Sequence, residues 1–443
     1  MRYSLLLILA VPLLAQDSLS LRQAVQLALR ENKAIAESNA GARASAARIE
    51  EARSGRLPKL NYSESFTRSD NPVFVFSSLL TQHQFGVENF SIGPLNRPDS
   101  INNFQSLLSV DQPIYDAGQT RNAVKSADLS RQMSVEEQRR TRMQVISGVV
   151  KAYYGAVLAA ESLKTAAQAV RSADADFERA ESVRAAGMST DVDVLSIRVH
   201  LAAVTEQRIQ RAADLEVALS ALNDALGLPL DTRHTLTSPL TPADMPDLEL
   251  ASLERDASST RPEARATHLE ADMARTQLDS ARSTLRPQVD FHAAFEADRQ
   301  QFINKGGANW LASVGLRWNL FNGNGDKARI EESNQFLERA HADEQRVDSA
   351  VKLEVRRAWA DLRAARQRIE VTKAAVAEAD ESLRITQNRY EAGMSNVTDL
   401  LRNETAVLES RTRYLAAVHD QRIAATMLEL AAGRLSPDSE VLN

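Results

Sequence analysis

Two hydrophobic rhythms run along this chain, and each occurs twice. Apolar residues three and four apart mark long amphipathic helices: Ile146, Val149, Val150, Tyr153, Val157 and Leu158, then Val351, Val355, Trp359 and Leu362. Elsewhere the period is two. Leu60, Tyr62 and Phe66 alternate with polar residues, as do Val289, Phe291, Ala293 and Phe295. Trp310, Ala312, Val314, Leu316 and Trp318 share one face, with Ser313, Arg317 and Asn319 on the other; Phe104, Leu108, Val110 and Ile114 make a weaker set. Each run is about ten residues long with one apolar face, which suits a tilted strand of a bilayer-spanning barrel. A half-buried antiparallel sheet in a soluble protein would show the same alternation.

Proline placement separates the two regimes. None occurs between Pro113 and Pro229, or between Pro287 and Pro437, and these spans are rich in Ala, Glu, Arg, Gln and Leu. Because proline costs about 3 kcal/mol inside a helix, both spans read as helix. From Gln119 to Ala186 one helix of 68 residues is possible, about 100 Å long. Gly187 suits the left-handed position that ends such a helix, and Thr190 with Asp193 suits a capping box that starts the next. Gly393, Asn396 and Asp399 repeat the device. By contrast, Pro229, Pro239, Pro242, Pro246 and Pro262 mark a connector, and Pro72, Pro94 and Pro98 a loop-rich segment.

The chain is a duplicate of itself. Ala185–Leu195 reads AAGMSTDVDVL and Glu391–Leu401 reads EAGMSNVTDLL, an offset of 206 that also pairs Tyr153 with Trp359 and Gly227 with Gly433. Upstream the offset is 229, pairing Pro58 with Pro287, so the first copy carries 23 extra residues between Pro58 and Pro113. Each copy has the order helix, two strands, very long helix, tight turn, long helix.

Composition then removes whole classes. Of 443 residues, 43% are apolar and 25% charged, which supports a packed core. Net charge is −6 with a pI near 5.8, so nucleic acid is not an expected partner. There are no cysteines, hence no disulfides and no thiolate chemistry. The seven histidines are scattered, and no HExxH pair, GxSxG elbow or phosphate-binding glycine loop occurs, so neither an enzyme nor a cofactor is expected. No uninterrupted apolar run reaches the length of a membrane helix. Residues Met1–Gln16, with Arg2 ahead of Leu5–Ala15, have the layout of a secretory signal peptide.

Several motifs together carry a resemblance: the duplicated Leu57-Pro58 and Arg286-Pro287 ahead of a strand, the strand-to-helix joints QPIYDAG (Gln112–Gly118) and WNLFNGNG (Trp318–Gly325), and the two hairpin turns at matched offsets. In these the chain resembles the TolC-like outer-membrane efflux family. The resemblance implies a mainly α protein with a β-barrel portion: duplicated long antiparallel helical hairpins forming a tunnel, and four transmembrane strands per subunit in a 12-stranded barrel shared by a homotrimer. It places the signal peptide at 1–16 and the first repeat at 17–230, with a β-hairpin over 58–114 and a helical hairpin over 117–227. A connector follows at 231–262, then the second repeat at 263–433, with strands over 286–321 and helices over 325–433, and a tail at 434–443.

The implied function is an exit duct in the outer membrane of a bacterium, with the helical tunnel in the periplasm. A periplasmic membrane-fusion adaptor would join it to an inner-membrane pump, driven by protons or ATP. Carried over by position, Gly187, Met188, Ser189, Gly393, Met394 and Ser395 are adaptor-docking tips. Tyr390 and Asp193 match a pair that holds the tunnel shut, and Asp399 matches a carboxylate ring at the constriction. Arg402 stands where the family pattern often has a second carboxylate. The insertion, Phe66–Phe104, is expected as an extracellular loop that folds into the barrel mouth or packs on its neighbours. Small-molecule efflux is the first expectation for cargo, with type I protein secretion as the alternative, and a soluble periplasmic coiled-coil scaffold as the reading from a different class.

Overall fold

The computed structural model describes residues 18–244, 249–303 and 306–442. The expected leader, residues 1–16, lies outside the described residues. A short strand β1 (Ser18–Leu19) precedes helices α1 (Leu21–Glu31) and α2 (Lys33–Arg53), then strand β2 (Lys59–Ser69). The insertion holds α3 (Pro72–Thr81) and α4 (Ile92–Asn96) ahead of β3 (Ile101–Tyr115), and the first helical hairpin is α5 (Gln119–Ala185) with α6 (Asp191–Leu226). After β4 (Thr235–Leu236) the order recurs: α7 (Leu250–Thr260), α8 (Pro262–Ser283), β5 (Gln288–Arg299), β6 (Gly306–Arg317), α9 (Gly325–Glu391) and α10 (Val397–Ala431).

Helix α7 falls inside the stretch expected to be a connector. It stands 229 positions after α1, so the helical elements of the second copy begin at Leu250. Pro262, read from sequence as one of the prolines of a non-helical or short-element connector, is the first residue of α8, where its missing N–H costs nothing. Proline also forces the residue before it out of helix, and Arg261 has ψ 133°. Asn32 makes the matching break between α1 and α2 with ψ 131°. At the head of α1, Ser20 closes a capping box: its hydroxyl accepts from the Gln23 amide at 3.3 Å while the Gln23 side chain accepts from the Ser20 amide at 2.9 Å.

Two compact units divide these elements, one built from 42–133 and 267–343, the other from 18–41, 134–266 and 344–442. The first contains a four-stranded antiparallel sheet in the order β2-β3-β5-β6. Its register aligns Leu60, Val110, Ala293 and Ala312 in one row, and Tyr62, Leu108, Phe295 and Trp310 in the next. These two rows make one face apolar, and it is bare: Trp310 is 80% exposed and Val314 66%. The next row of that face holds Glu64, which pairs with Arg299 at 2.9 Å. The opposite face carries Asn61, Asn103, Gln105, Asp111, His292, Glu296, Asp298 and Asn309. Strands β2 and β6 each have one edge without a partner among the described residues. A ladder irregularity at Pro113–Tyr115 follows from the proline, which has no N–H to give.

The second unit buries a core of α1, the long helices, α7 and the C-terminal segment, with Leu21, Val25, Ile146, Leu222, Leu253 and Leu428 nearly or wholly inaccessible. One 18-residue window of α5 is apolar enough to pass for a membrane span; half of it is buried in the structure, as for a core helix. Tyr153, 0% exposed, ties the core to the parallel pair β1–β4. Its hydroxyl donates to the Leu19 carbonyl at 2.8 Å and accepts from the Ser238 amide at 2.9 Å and the Thr237 amide at 3.2 Å. Tyr153→Phe takes away the acceptor of the Ser238 amide, while the Thr237 amide keeps the Leu19 carbonyl at 3.1 Å, and is expected to cost about 1–2 kcal/mol. A drop in Tm measures it; an unchanged Tm would contradict the structure here.

Candidate functional site

The two hairpin turns are exposed and are built alike. α5 ends when Gly187 takes φ +76°, with its amide donating to Arg184 O at 2.8 Å and the Met188 amide to Val183 O at 3.1 Å. α9 ends the same way at Gly393, φ +72°, with Gly393 donating to Tyr390 O and Met394 to Arg389 O. This paired pattern satisfies the last carbonyls of each helix and needs a left-handed residue, which glycine adopts without penalty. Nothing lies within 4 Å of a side chain added at either glycine, so backbone conformation alone demands it. Met188 and Met394 are exposed at the crests, and Ser189 and Ser395 are half-buried just beyond.

The next helices start with different commitments of their acids. Thr190 caps α6 by a reciprocal box with Asp193, whose carboxylate also accepts from Ser189 at 3.2 Å. The Thr190 hydroxyl bond, above all, holds the Asp193 carboxyl below its ordinary range. At α10, Asn396 accepts from the Asp399 amide at 2.8 Å, but the nearest donor to the Asp399 carboxylate is Ser395 Oγ at 3.5 Å. Asp399 therefore has acceptor capacity to spare. Arg402 is exposed one turn further on. Tyr390 packs with Phe177, Ala180, Val194, Ile197, Val397 and Leu401 where all four long helices meet. Burial first, then the charge of Asp193, pushes its hydroxyl pKa up. The structure thus brings Tyr390 and Asp193 into electrostatic range, while the hydrogen bonds that the Asp193 carboxylate accepts come from Ser189 and Thr190 of its own turn.

The turns differ in what they display beside them. On α6, Val192, Leu195 and Val199 form an exposed apolar stripe, 69%, 55% and 71% accessible. The same positions of α10, 206 residues on, are Thr398, Leu401 and Thr405.

Behind the turns lies a group that sequence reasoning missed. Asp176 of α5, Glu404 of α10 and His200 of α6 come together inside the unit, with His200 Nε2 3.2 Å from Glu404 Oε2 and their side chains 15% and 8% exposed. Asp176 is 3% exposed. Burial, then the neighbouring Glu404 carboxylate, raises the Asp176 carboxyl to about 7. Asp176 Oδ2 lacks a hydrogen-bond donor, and a proton retained by Asp176 would be shared with the Glu404 carboxylate, which also faces His200. Arg179 reaches across to Glu391 of α9 at 2.9 Å and lies 3.6 Å from Asp176. A cavity of about 160 Å³ opens beside His200 and Glu404. Several other acids on the long helices pair with arginine or lysine at i,i+3 or i,i+4, as expected of a solvated face. Among the described residues no cluster has the donors for a metal ion.

A duplicated pair of helical hairpins joined to a four-stranded sheet with a bare apolar face defines an outer-membrane channel subunit. The model of the outer membrane efflux protein family matches residues 24–228 and 253–434, and the chain belongs to that family. It is 29% identical over 345 residues to Protein CyaE of Bordetella pertussis, covering 76% of this chain and 72% of that one. It is 24% identical over 403 residues to the alkaline protease secretion protein AprF of Pseudomonas aeruginosa, covering 86% and 78%. Among solved structures, the Campylobacter jejuni CmeC outer membrane channel superposes with a TM-score of 0.80 at 16% identity, over 95% of this chain and 87% of that one. The chain is thus an outer-membrane exit duct of efflux or secretion systems, which sets aside the soluble scaffold.

Proposed function

We propose that three copies of this chain close a 12-stranded barrel and extend it by a tunnel of helical hairpins, gated at the turns. The carrying observation is the sheet itself: four strands, two open edges and an apolar face left uncovered among the described residues. Lipid cannot satisfy unpaired edges, and four strands are too few to close, so sister copies must supply the rest. An adaptor docks at Gly187-Met188-Ser189 and Gly393-Met394-Ser395, linking the duct to an inner-membrane pump. Chemical cross-linking of purified material should give a trimer; a monomer that forms no pores in planar bilayers would end this reading.

In the trimer, three Asp399 carboxylates face a narrow axis and favour cations, with Tyr390 and Asp193 bracing the closed state and Arg402 moderating the ring charge. Asp399→Ala is expected to raise conductance, or to lower cation-over-anion selectivity about twofold or more. An unchanged single-channel record retires the gate assignment. Small molecules are the first cargo. Protein export is the second reading, supported by the likeness to a protease secretion protein. A deletion strain that becomes drug-sensitive with its secreted proteins intact supports the first; the reverse supports the second.

A further inference from the structure

The insertion between β2 and β3 is folded rather than loose. Asn71 caps α3 through bonds from the Val73 and Phe74 amides, and Pro72 occupies its first turn. Phe85 packs edge-on against Phe76 at 4.7 Å and against Phe90 at 5.1 Å, giving the segment a small core of its own.

Its attachment is one-sided. Gln82, 1% exposed, donates to the Asn102 carbonyl at 3.0 Å and to Asn103 Oδ1 at 2.9 Å. Asn103 in turn donates to Asp298 at 2.6 Å, and Asn309 donates to the Thr81 carbonyl at 3.3 Å. Asn103, Asp298 and Asn309 all belong to the polar face of the sheet. Gly307 shares that face, and a methyl group there would stand 1.9 Å from Thr81 O. The end of α3 therefore rests on the polar face of β3, β5 and β6, at the strand ends remote from the helices.

We propose that this segment, residues 70–100, is an outer plug: in the trimer the three insertions converge inside the barrel mouth and set the width of the pore there. The inference rests on the trimeric-barrel reading. With the apolar face turned to lipid, the polar face lines the lumen, and a segment clamped to it lies within. Its occupants are the other two copies. Val73, Val87 and Ile92 are 78%, 87% and 78% exposed in one subunit, a level of apolar exposure that contact between sister plugs would relieve.

The test uses full-length protein in planar bilayers and in cells. Replacing residues 71–99 by a short glycine-serine turn should raise single-channel conductance about twofold or more and admit a bulky hydrophilic antibiotic such as vancomycin. Because that variant risks misfolding, Val87→Cys supplies an independent reading in a chain with no native cysteine. A large thiol reagent added from the outer side should cut its current, and a short bis-maleimide should link copies. Pores of unaltered conductance in the deletion variant, or a labelled Val87→Cys pore with full current, overturn the plug alone. Failure of the unaltered protein to form pores overturns the barrel and the plug together.

Discussion

Val314→Arg is expected to vanish from the outer membrane, while Ser313→Arg, one residue away, assembles normally. Val314 lies on the bare apolar face, between the row of Tyr62, Phe295 and Trp310 and the periplasmic ends of the strands; its register partner is Phe291. A charged residue on the lipid face costs roughly 2–4 kcal/mol near the midplane, and in the proposed trimer that cost would be met three times. Ser313 pairs with His292 on the polar face, where an added cation meets water and nearby acids. Its effect should appear in conductance instead. Quantitative blotting of outer-membrane fractions and trimer bands decides the matter. Equal abundance of the two variants would show that the face taken for lipid-exposed is covered by something else.

Lowering the pH from 7.5 to 5.5 should tighten the helices behind the turns, and Asp176→Asn should abolish the response. The groups facing Asp176 are Ser172 and Arg179 on its own helix, His200 on α6, Tyr390 on α9, and Glu404 with Arg411 nearby on α10. An acid whose folded pKa is about 7, against about 3.9 when unfolded, favours the folded state most when protonated. Its contribution is complete below the unfolded value and is lost as pH rises through 7. Glu404 is shifted down, so its contribution fails only under strongly acidic conditions, outside this window. Pairing with Arg179 and His200 moderates the penalty at neutral pH, leaving about 1–2 kcal/mol. Hydrogen exchange over 172–205 and 380–411, corrected for intrinsic rates, should slow at pH 5.5 in the parent and stay level in Asp176→Asn. If the response persists in that variant, Asp176 is not the group that carries it.

The helical hairpins, their turns and the four strands were legible because each rests on local rules: a proline-free apolar period, a glycine at a helix end, an alternation of side chains. Duplication doubled every such signal. Two features escaped. Asp176, His200 and Glu404 sit on three different helices, and each looks alone like one more charged position on a wet surface; only packing makes them neighbours. The insertion was expected as an extracellular loop, yet Asn71 followed by Pro72 is a helix-start signal that marks α3. What sequence could not carry is its clamp, since Gln82, Asn103 and Asp298 meet only after β3 and β5 pair. Roles at the turns differ again in kind. The proposed ring of Asp399 side chains would be a property of three chains around an axis, which no periodicity within one chain encodes.

The stripe of Val192, Leu195 and Val199 on α6 has no twin on α10, where threonine stands at two of the three places. In the proposed trimer, six near-identical turns would therefore offer greasy and hydrophilic landing sites by turns. A partner that meets both kinds with one repeated surface cannot grip them with equal strength, so it should let go of the threonine-bearing turns first.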